Sequence, residues 1–285
     1  SDLYQCLQLH YTRGDNFTPC FFHEVPKLFR KGYMPVDVAL VRVSSPDEHG
    51  YCSFGVLNDY TKPAAQYAKI VIAEVNDKMP RTMGDSFIHI SDIDYIIETS
   101  HKIIELQPPS IGEVEKKIGE NCASLIEDGS TLQLGIGAIP EAVLLFLKDK
   151  KDLGIHSEMI SDGVVELVEA GVITNKMKTL HPGISVVSFL MGTKRLYDFV
   201  DNNPSVEMYP VNYVNNPITI MKNYKMVSIN SCVQVDIMGQ VCSECIGLKQ
   251  ISGVGGQVDF VRGVNMSEDG ISIIAIPSTA SKGKI

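Results

Sequence analysis

Four stretches of this chain carry residue types able to do chemistry at a useful spacing. The first is Gly135-Ile136-Gly137-Ala138-Ile139-Pro140-Glu141, which follows an apolar strand and opens a helical pattern. Its glycines permit close backbone approach to a ligand, and free N–H groups at a helix start attract anions or developing negative charge. Pro140 suits the first helical position, where its missing N–H costs nothing. Because Pro140 also stands where a dinucleotide fingerprint has its third glycine, that fingerprint is absent. The second stretch, Ser252-Gly253-Val254-Gly255-Gly256-Gln257-Val258-Asp259-Phe260, implies close backbone approach or positive φ, either around a ligand or in a tight turn between strands. The third, His156-Ser157-Glu158-Met159, puts a carboxylate at a strand's C-terminus, where open α/β sheets hold their ligands. On spacing alone Glu158 is one of many acids, and His156 is either a base or a hydrogen-bonded structural residue. The fourth, Phe22-His23-Glu24-Val25-Pro26, sets His and Glu side by side ahead of a helix, with Glu24 suited to cap it. No Ser-His-Asp nucleophile elbow and no H-E-x-x-H helix occurs, which removes the commonest hydrolase readings.

The elements that must position these groups alternate between short apolar runs and helical patterns. Val36–Val43 and Lys69–Val75 read as buried strands with a short helical stretch at 64–68 between them. Such alternation predicts βαβ units and a mostly parallel sheet covered by helices on both faces. Gln107-Pro108-Pro109-Ser110 breaks the pattern with an extended connector, dividing the chain into a domain of residues 1–109 and a domain of residues 110–285. In the second, a helix over 111–126 precedes strand Thr131–Leu134, and further strands are expected near Ile155 and over 184–189, 226–230 and 271–276. Helices are expected over 140–148, 162–170 and 196–202.

The chain has 285 residues, 44% hydrophobic and 21% charged, the composition of an ordinary globular protein of about two domains. No apolar run reaches membrane-span length. A net charge of −9 argues against nucleic acid as a partner. Seven cysteines, an odd number scattered through apolar segments, point to a reducing cytoplasm. The Cys242-x-x-Cys245 pair lacks the second pair or the histidines that a metal site needs, so no metal is expected. The start lacks a signal-peptide pattern. A chain that begins without Met and stops just after an apolar strand reads as part of a longer protein.

Taken in order, these segments resemble the acetyl-CoA hydrolase/transferase family. The likeness runs through Phe22–Pro26, Pro35–Val38, Ala73–Asp77, Leu132–Pro140, His156–Gly163, Met191–Thr193, Asp236–Val241 and Ser252–Phe260. It implies α/β architecture with two similar open-sheet domains of the CoA-transferase type, the first incomplete here because members of the family run longer at both ends. It also implies that Glu158 is the catalytic glutamate, carrying CoA as a covalent thioester. Gly135, Ile136, Gly137, Ala138 and Ile139 match the CoA-contacting loop, and Val233, Gly256 and Lys282 fall where CoA is contacted. Homodimers or larger assemblies are implied, as are acyl-CoA and short carboxylate substrates such as butyryl-CoA and 4-hydroxybutyrate, with CoA a substrate and no separate cofactor. The chemistry is consistent, because a carboxylate nucleophile can become an anhydride and then a thioester. Such a glutamate is expected to be ionised and screened from water.

Overall fold

The computed structural model describes residues 18–279. In chain order the strands of the first part are β1 (Val36–Val43), β2 (Tyr51–Ser53), β3 (Ala68–Asn76), β4 (Met83–Gly84), β5 (Phe87–His89) and β6 (Tyr95–Thr99). Strands β1, β3 and β6 form a parallel sheet with β3 central, in register Leu40↔Ile72 and Ile72↔Tyr95. Alternation along β1 sends Ala39, Val41 and Val43 inward, where they pack with Val71, Ala73, Cys52, Phe54 and Ala65 of the helix Thr61–Tyr67. The other face does not match the expectation of helices on both sides. Leu40, Tyr95 and Ile97 stand 77%, 60% and 56% exposed, because the neighbouring helix Thr61–Tyr67 lies on one face only.

The second part opens with the helix Glu113–Ser124 and continues through β7 (Thr131–Leu134), β8 (Gly154–Ile155), β9 (Met159–Ile160), β10 (Ser185–Val187), β11 (Phe189–Leu190) and β12 (Val206–Met208). It ends with β13 (Met226–Ser231), the short ribbon strands β14 (Gln234–Val235), β15 (Val241–Cys242), β16 (Cys245–Ile246) and β17 (Lys249–Gln250), and β18 (Ile271–Ala275). Four of these make one parallel sheet in the order β18-β13-β7-β8. Strand β7 is buried along its whole length, its polar Thr131 and Gln133 included, as a central parallel strand covered on both sides must be. The helices Ala138–Leu145 and Asp162–Glu169 supply Val143, Leu144, Val164, Val165 and Leu167 to the core around β7. The helix Gln257–Met266 supplies Phe260 and Val264 to a smaller cluster with Val214, Ile220 and Met226.

Most expected elements lie within a few residues of their places. The run over 184–189 is the exception: it is two strands, split at Ser188, that pair in different sheets. The break follows from Ser188 donating its side chain to the Tyr209 carbonyl while its N–H bonds Glu158. Strand β4, from the first part, pairs with β12 of the second, so sheet hydrogen bonds cross the connector. All six described cysteines are free, and among the described residues no group of three or more metal-ligating side chains occurs. Cys6 and Lys282 lie outside the described residues. No described helix is long and apolar enough to cross a membrane.

Candidate active site

The carboxyl ends of the four-stranded parallel sheet gather most of the residues singled out above. Strand β7 runs straight into Gly135–Ile139, β8 into His156–Glu158, and β13 into the segment that holds Val233. Gly256 caps the helix Gln257–Met266, which leads from β13 back to β18. Open α/β sheets bind ligands outside this edge, because each strand there hands over to a loop and a helix N-terminus.

Glu158 lies in a three-residue link between sheets. His156 N–H still bonds Leu132 O of β7, at 3.1 Å, while Glu158 O already accepts from Ser188 and Phe189 N–H, each at 3.0 Å. Between them Ser157 Oγ donates to Leu134 O at 3.1 Å and accepts from Leu134 N–H at 3.2 Å. That paired contact fixes the start of the Gly135–Ile139 loop relative to Glu158. Backbone and side-chain bonds therefore hold the link on both sides.

The Glu158 carboxyl meets two donors. Asn215 Nδ2 donates to Glu158 Oε2 at 2.6 Å, and the Gly256 backbone N–H faces the group and favours its ionised form. A Cβ on Gly256 would overlap both the Glu158 carboxylate and the Asn215 amide, so only glycine lets the loop come this close. Two further acids face the site. Asp59 is buried, its Oδ1 accepting from the Tyr60 and Thr61 N–H groups and the Thr61 hydroxyl. Asp259 is buried as well and holds His23, which bonds it through its backbone N–H at 3.0 Å and through Nδ1 at 2.7 Å.

Charge state follows from this crowding. Burial, with the charges of Asp59 and Asp259 adding to it, pushes the Glu158 carboxyl up to about 7 against the lowering bonds from Asn215 and Gly256. Burial likewise raises Asp59 to about 6. The expectation that Glu158 is simply ionised at neutral pH therefore needs correcting. Near pH 7 the unliganded site holds both forms, because desolvation outweighs its donors.

Several sequence expectations resolve here. His156 is no base: it is fully buried, its Nε2 bonds Val214 O at 2.8 Å, and burial drops it to about 3. Glu24 makes no side-chain cap and instead accepts from Lys27. Of that fourth stretch, His23 reaches the site. The Ser252–Phe260 stretch is not a turn between strands but the entry to a helix. The first glycine loop starts its helix at Ala138, which makes Pro140 the third helical residue; Gly137, at φ +114°, takes a conformation that only glycine adopts freely. Val233 stands 39% exposed at the foot of the β14–β15 hairpin, its N–H on Cys242 O. Lys282 lies outside the described residues. Asn215, Asp59 and Asp259 were not singled out for chemistry. Only Asp259, inside the second glycine stretch, carried any local signal.

A buried carboxyl set between an amide donor and a helix N-terminus, at the carboxyl edge of an open parallel sheet, marks the candidate site of an α/β protein. Comparison with known proteins specifies the family. Residues 13–108 match the acetyl-CoA hydrolase/transferase N-terminal domain, and residues 192–285 match the C-terminal domain of the same family. The chain belongs to the acetyl-CoA hydrolase/transferase family. It is 77% identical over 270 residues to the 4-hydroxybutyrate coenzyme A transferase of Clostridium kluyveri, covering 95% of this chain and 63% of that protein. Over 270 residues it is 50% identical to the succinyl-CoA:cyclohexane-1-carboxylate CoA transferase of Geobacter metallireducens, covering 95% and 62%. A crystal structure of 4-hydroxybutyrate CoA-transferase from Porphyromonas gingivalis superposes with a TM-score of 0.86 at 56% identity, covering 93% of this chain and 65% of that one. The chain thus spans less than two thirds of the length of each of these proteins.

Proposed function

We propose that the whole protein transfers CoA between an acyl-CoA, such as acetyl-CoA or butyryl-CoA, and a short carboxylic acid such as 4-hydroxybutyrate. The observation that carries this reading is the Glu158 carboxyl held by Asn215 and Gly256 at the sheet edge. The relatives named above are CoA-transferases, and their similarity supports the substrate class.

In the proposed route a Glu158 oxygen attacks the acyl-CoA carbonyl. The C–S bond breaks, leaving an acyl-glutamyl anhydride and CoA thiolate. The thiolate attacks the glutamyl carbonyl, expels the first carboxylate and leaves glutamyl-CoA thioester. The incoming carboxylate reverses both steps. Each tetrahedral intermediate carries an oxyanion, for which the backbone N–H groups of the two glycine loops and the Asn215 amide are the nearby donors. One such donor contributes about 3–4 kcal/mol to the transition state. Gly135–Ile139, Val233, Gly256 and Lys282 are assigned to CoA contact. A cytoplasmic homodimer, with a domain boundary between residues 109 and 110 and no further cofactor, completes the reading.

Mass spectrometry of the full-length protein after brief incubation with butyryl-CoA alone tests it. The expected result is a CoA adduct on the peptide containing Glu158, discharged by free carboxylate and absent from Glu158→Gln, which still binds CoA. Steady release of CoA without added carboxylate would show a hydrolase instead. Bound CoA with neither adduct nor turnover would leave a non-catalytic binding module.

A further inference from the structure

His156 and Glu158 are two residues apart on one link, and Val214 and Asn215 are neighbours at the end of the helix Val211–Val214. The two pairs face each other as two rungs. His156 Nε2 meets Val214 O at 2.8 Å, and Asn215 Nδ2 meets Glu158 Oε2 at 2.6 Å. We infer that His156 is a positioning residue, a donor that pins the Val214 carbonyl and so holds the Asn215 amide against the Glu158 carboxylate. The inference rests on the reading of Glu158 as the nucleophile.

The chemistry of the contact assigns the tautomer. A carbonyl only accepts, so Nε2 carries the hydrogen and Nδ1 is left with its lone pair. Nδ1 is buried and without a partner among the described residues. The ring lies edge-on to Phe260, with centroids 6.4 Å apart. Protonating Nδ1 would create a second N–H with nothing to receive it, in surroundings that already include the Lys178 ammonium and His181. Lys178 is buried beneath, its Nζ donating to Ile155 O at 2.8 Å and Ile184 O at 2.5 Å. Burial, Lys178 and His181 therefore favour the neutral ring and outweigh the Val214 contact, which opposes them.

The same rung explains why Asn215 is precise. Its Oδ1 is buried with no partner among the described residues, so the side chain is anchored through its single bond to Glu158 and through its backbone. Its N–H bonds Val211 O at 2.9 Å, within the short helix whose last carbonyl His156 holds. Release that carbonyl, and the end of the four-residue helix keeps only the packing of Val214 against Ile220, Met226 and Phe260 to fix it.

Two variants separate positioning from bulk packing. His156→Gln keeps an amide N–H that reaches Val214 O; His156→Leu keeps volume without a donor. Adduct formation on Glu158 is followed in the full-length proteins as a function of pH, and crystal structures give the Asn215–Glu158 separation. H156Q is expected within about threefold of the parent rate, with an unchanged pH midpoint. H156L is expected to slow by about tenfold or more, with KM for butyryl-CoA within about twofold. Its midpoint should move up, because losing the Asn215 bond removes a contact that favours the ionised carboxylate, leaving Asp59 and Asp259 to oppose it. A parent-like rate and midpoint in folded H156L overturns the inference. Equal slowing of both variants with no midpoint shift assigns His156 to packing and overturns it too. If the parent itself forms no adduct, the nucleophile reading fails, and the crystal structures still decide: an Asn215–Glu158 bond unchanged in H156L refutes positioning.

Discussion

Gly256→Ala is the perturbation whose effect the geometry predicts most directly. Gly256 has φ −84° and ψ −4°, a right-handed conformation open to any residue, so alanine brings no backbone strain. What it brings is a Cβ in the space of the Glu158 carboxylate and the Asn215 amide, both ends of side chains that can swing away. The helix cap therefore survives, and the carboxylate is displaced. Breaking a hydrogen bond to a charged group costs about 1.5–3 kcal/mol. At about 1.4 kcal/mol per factor of ten, that is roughly a tenfold to 150-fold loss of rate. Misplacing a reacting group by about 1 Å costs on the order of a hundredfold by itself. The losses overlap, so about a hundredfold is expected. Stability should change by no more than about 1 kcal/mol, since alanine restricts the unfolded chain while capping the helix less well than glycine. The assay is single-turnover adduct formation with butyryl-CoA on the full-length protein, beside denaturant unfolding of the same samples. A parent-like rate would refute the claim that Glu158 reacts from this position. A fall in stability of about 3 kcal/mol or more would make any loss a folding effect rather than a displaced carboxylate.

Other expectations follow from the same site. Adduct formation should rise with pH to a midpoint near 7, since only ionised Glu158 attacks, and D259N should lower that midpoint by removing a nearby charge; a rate flat from pH 5 to 9 would contradict the assigned cause. Gly137→Ala places a side chain at φ +114° in open space, so its cost is backbone strain of about 1–3 kcal/mol, read as a lower Tm and weaker CoA binding by calorimetry. His156 is neutral down to about 3 in the folded protein, whereas its ordinary value is 6.5. Below pH 6.5 the unfolded chain takes up a proton that the native ring refuses, so this residue removes stability as pH falls, by about 2 kcal/mol at pH 5. Urea unfolding of the parent and H156Q at pH 7 and pH 5 should show the gap between them shifting by that amount in favour of H156Q; a constant gap would mean the ring titrates normally in the fold.

What could be read beforehand was whatever local pattern encodes. Strands β1 and β3 are rich in Val, Ile and Ala and are bounded by turn or helical residues, a trace that local pattern carries even though one face of their sheet is exposed. The two glycine stretches announced themselves because a positive φ at Gly137 and a close approach at Gly256 each leave glycine behind. Glu158 did not, since an acid at a strand end looks like any other; its role came from resemblance. Asn215 and Asp59 were invisible for a different reason, and His23 and Asp259, though each lay in a stretch singled out, gave no sign of being partners. Each is joined to the site by contacts between distant parts of the chain, such as the 57 positions from Glu158 to Asn215 and the 236 from His23 to Asp259. Periodicity, capping and turn chemistry describe neighbours along the chain and are silent about such pairs.

The last of these pairs bears on how the molecule is made. Synthesis proceeds from the N-terminus, and early segments begin to fold while later ones are still being added. His23 is among the early residues, but the carboxylate it grips belongs to a helix translated 236 positions later. Glu158 likewise leaves the ribosome well before Gly256, whose N–H and missing side chain shape its surroundings. A growing chain therefore carries Glu158 for much of translation without the groups that seat it. The Glu158 surroundings are completed as a late event, when the 257–266 helix docks and closes the loop back to the start of the described chain. Nascent chains interrupted before that helix would carry Glu158 without its full setting.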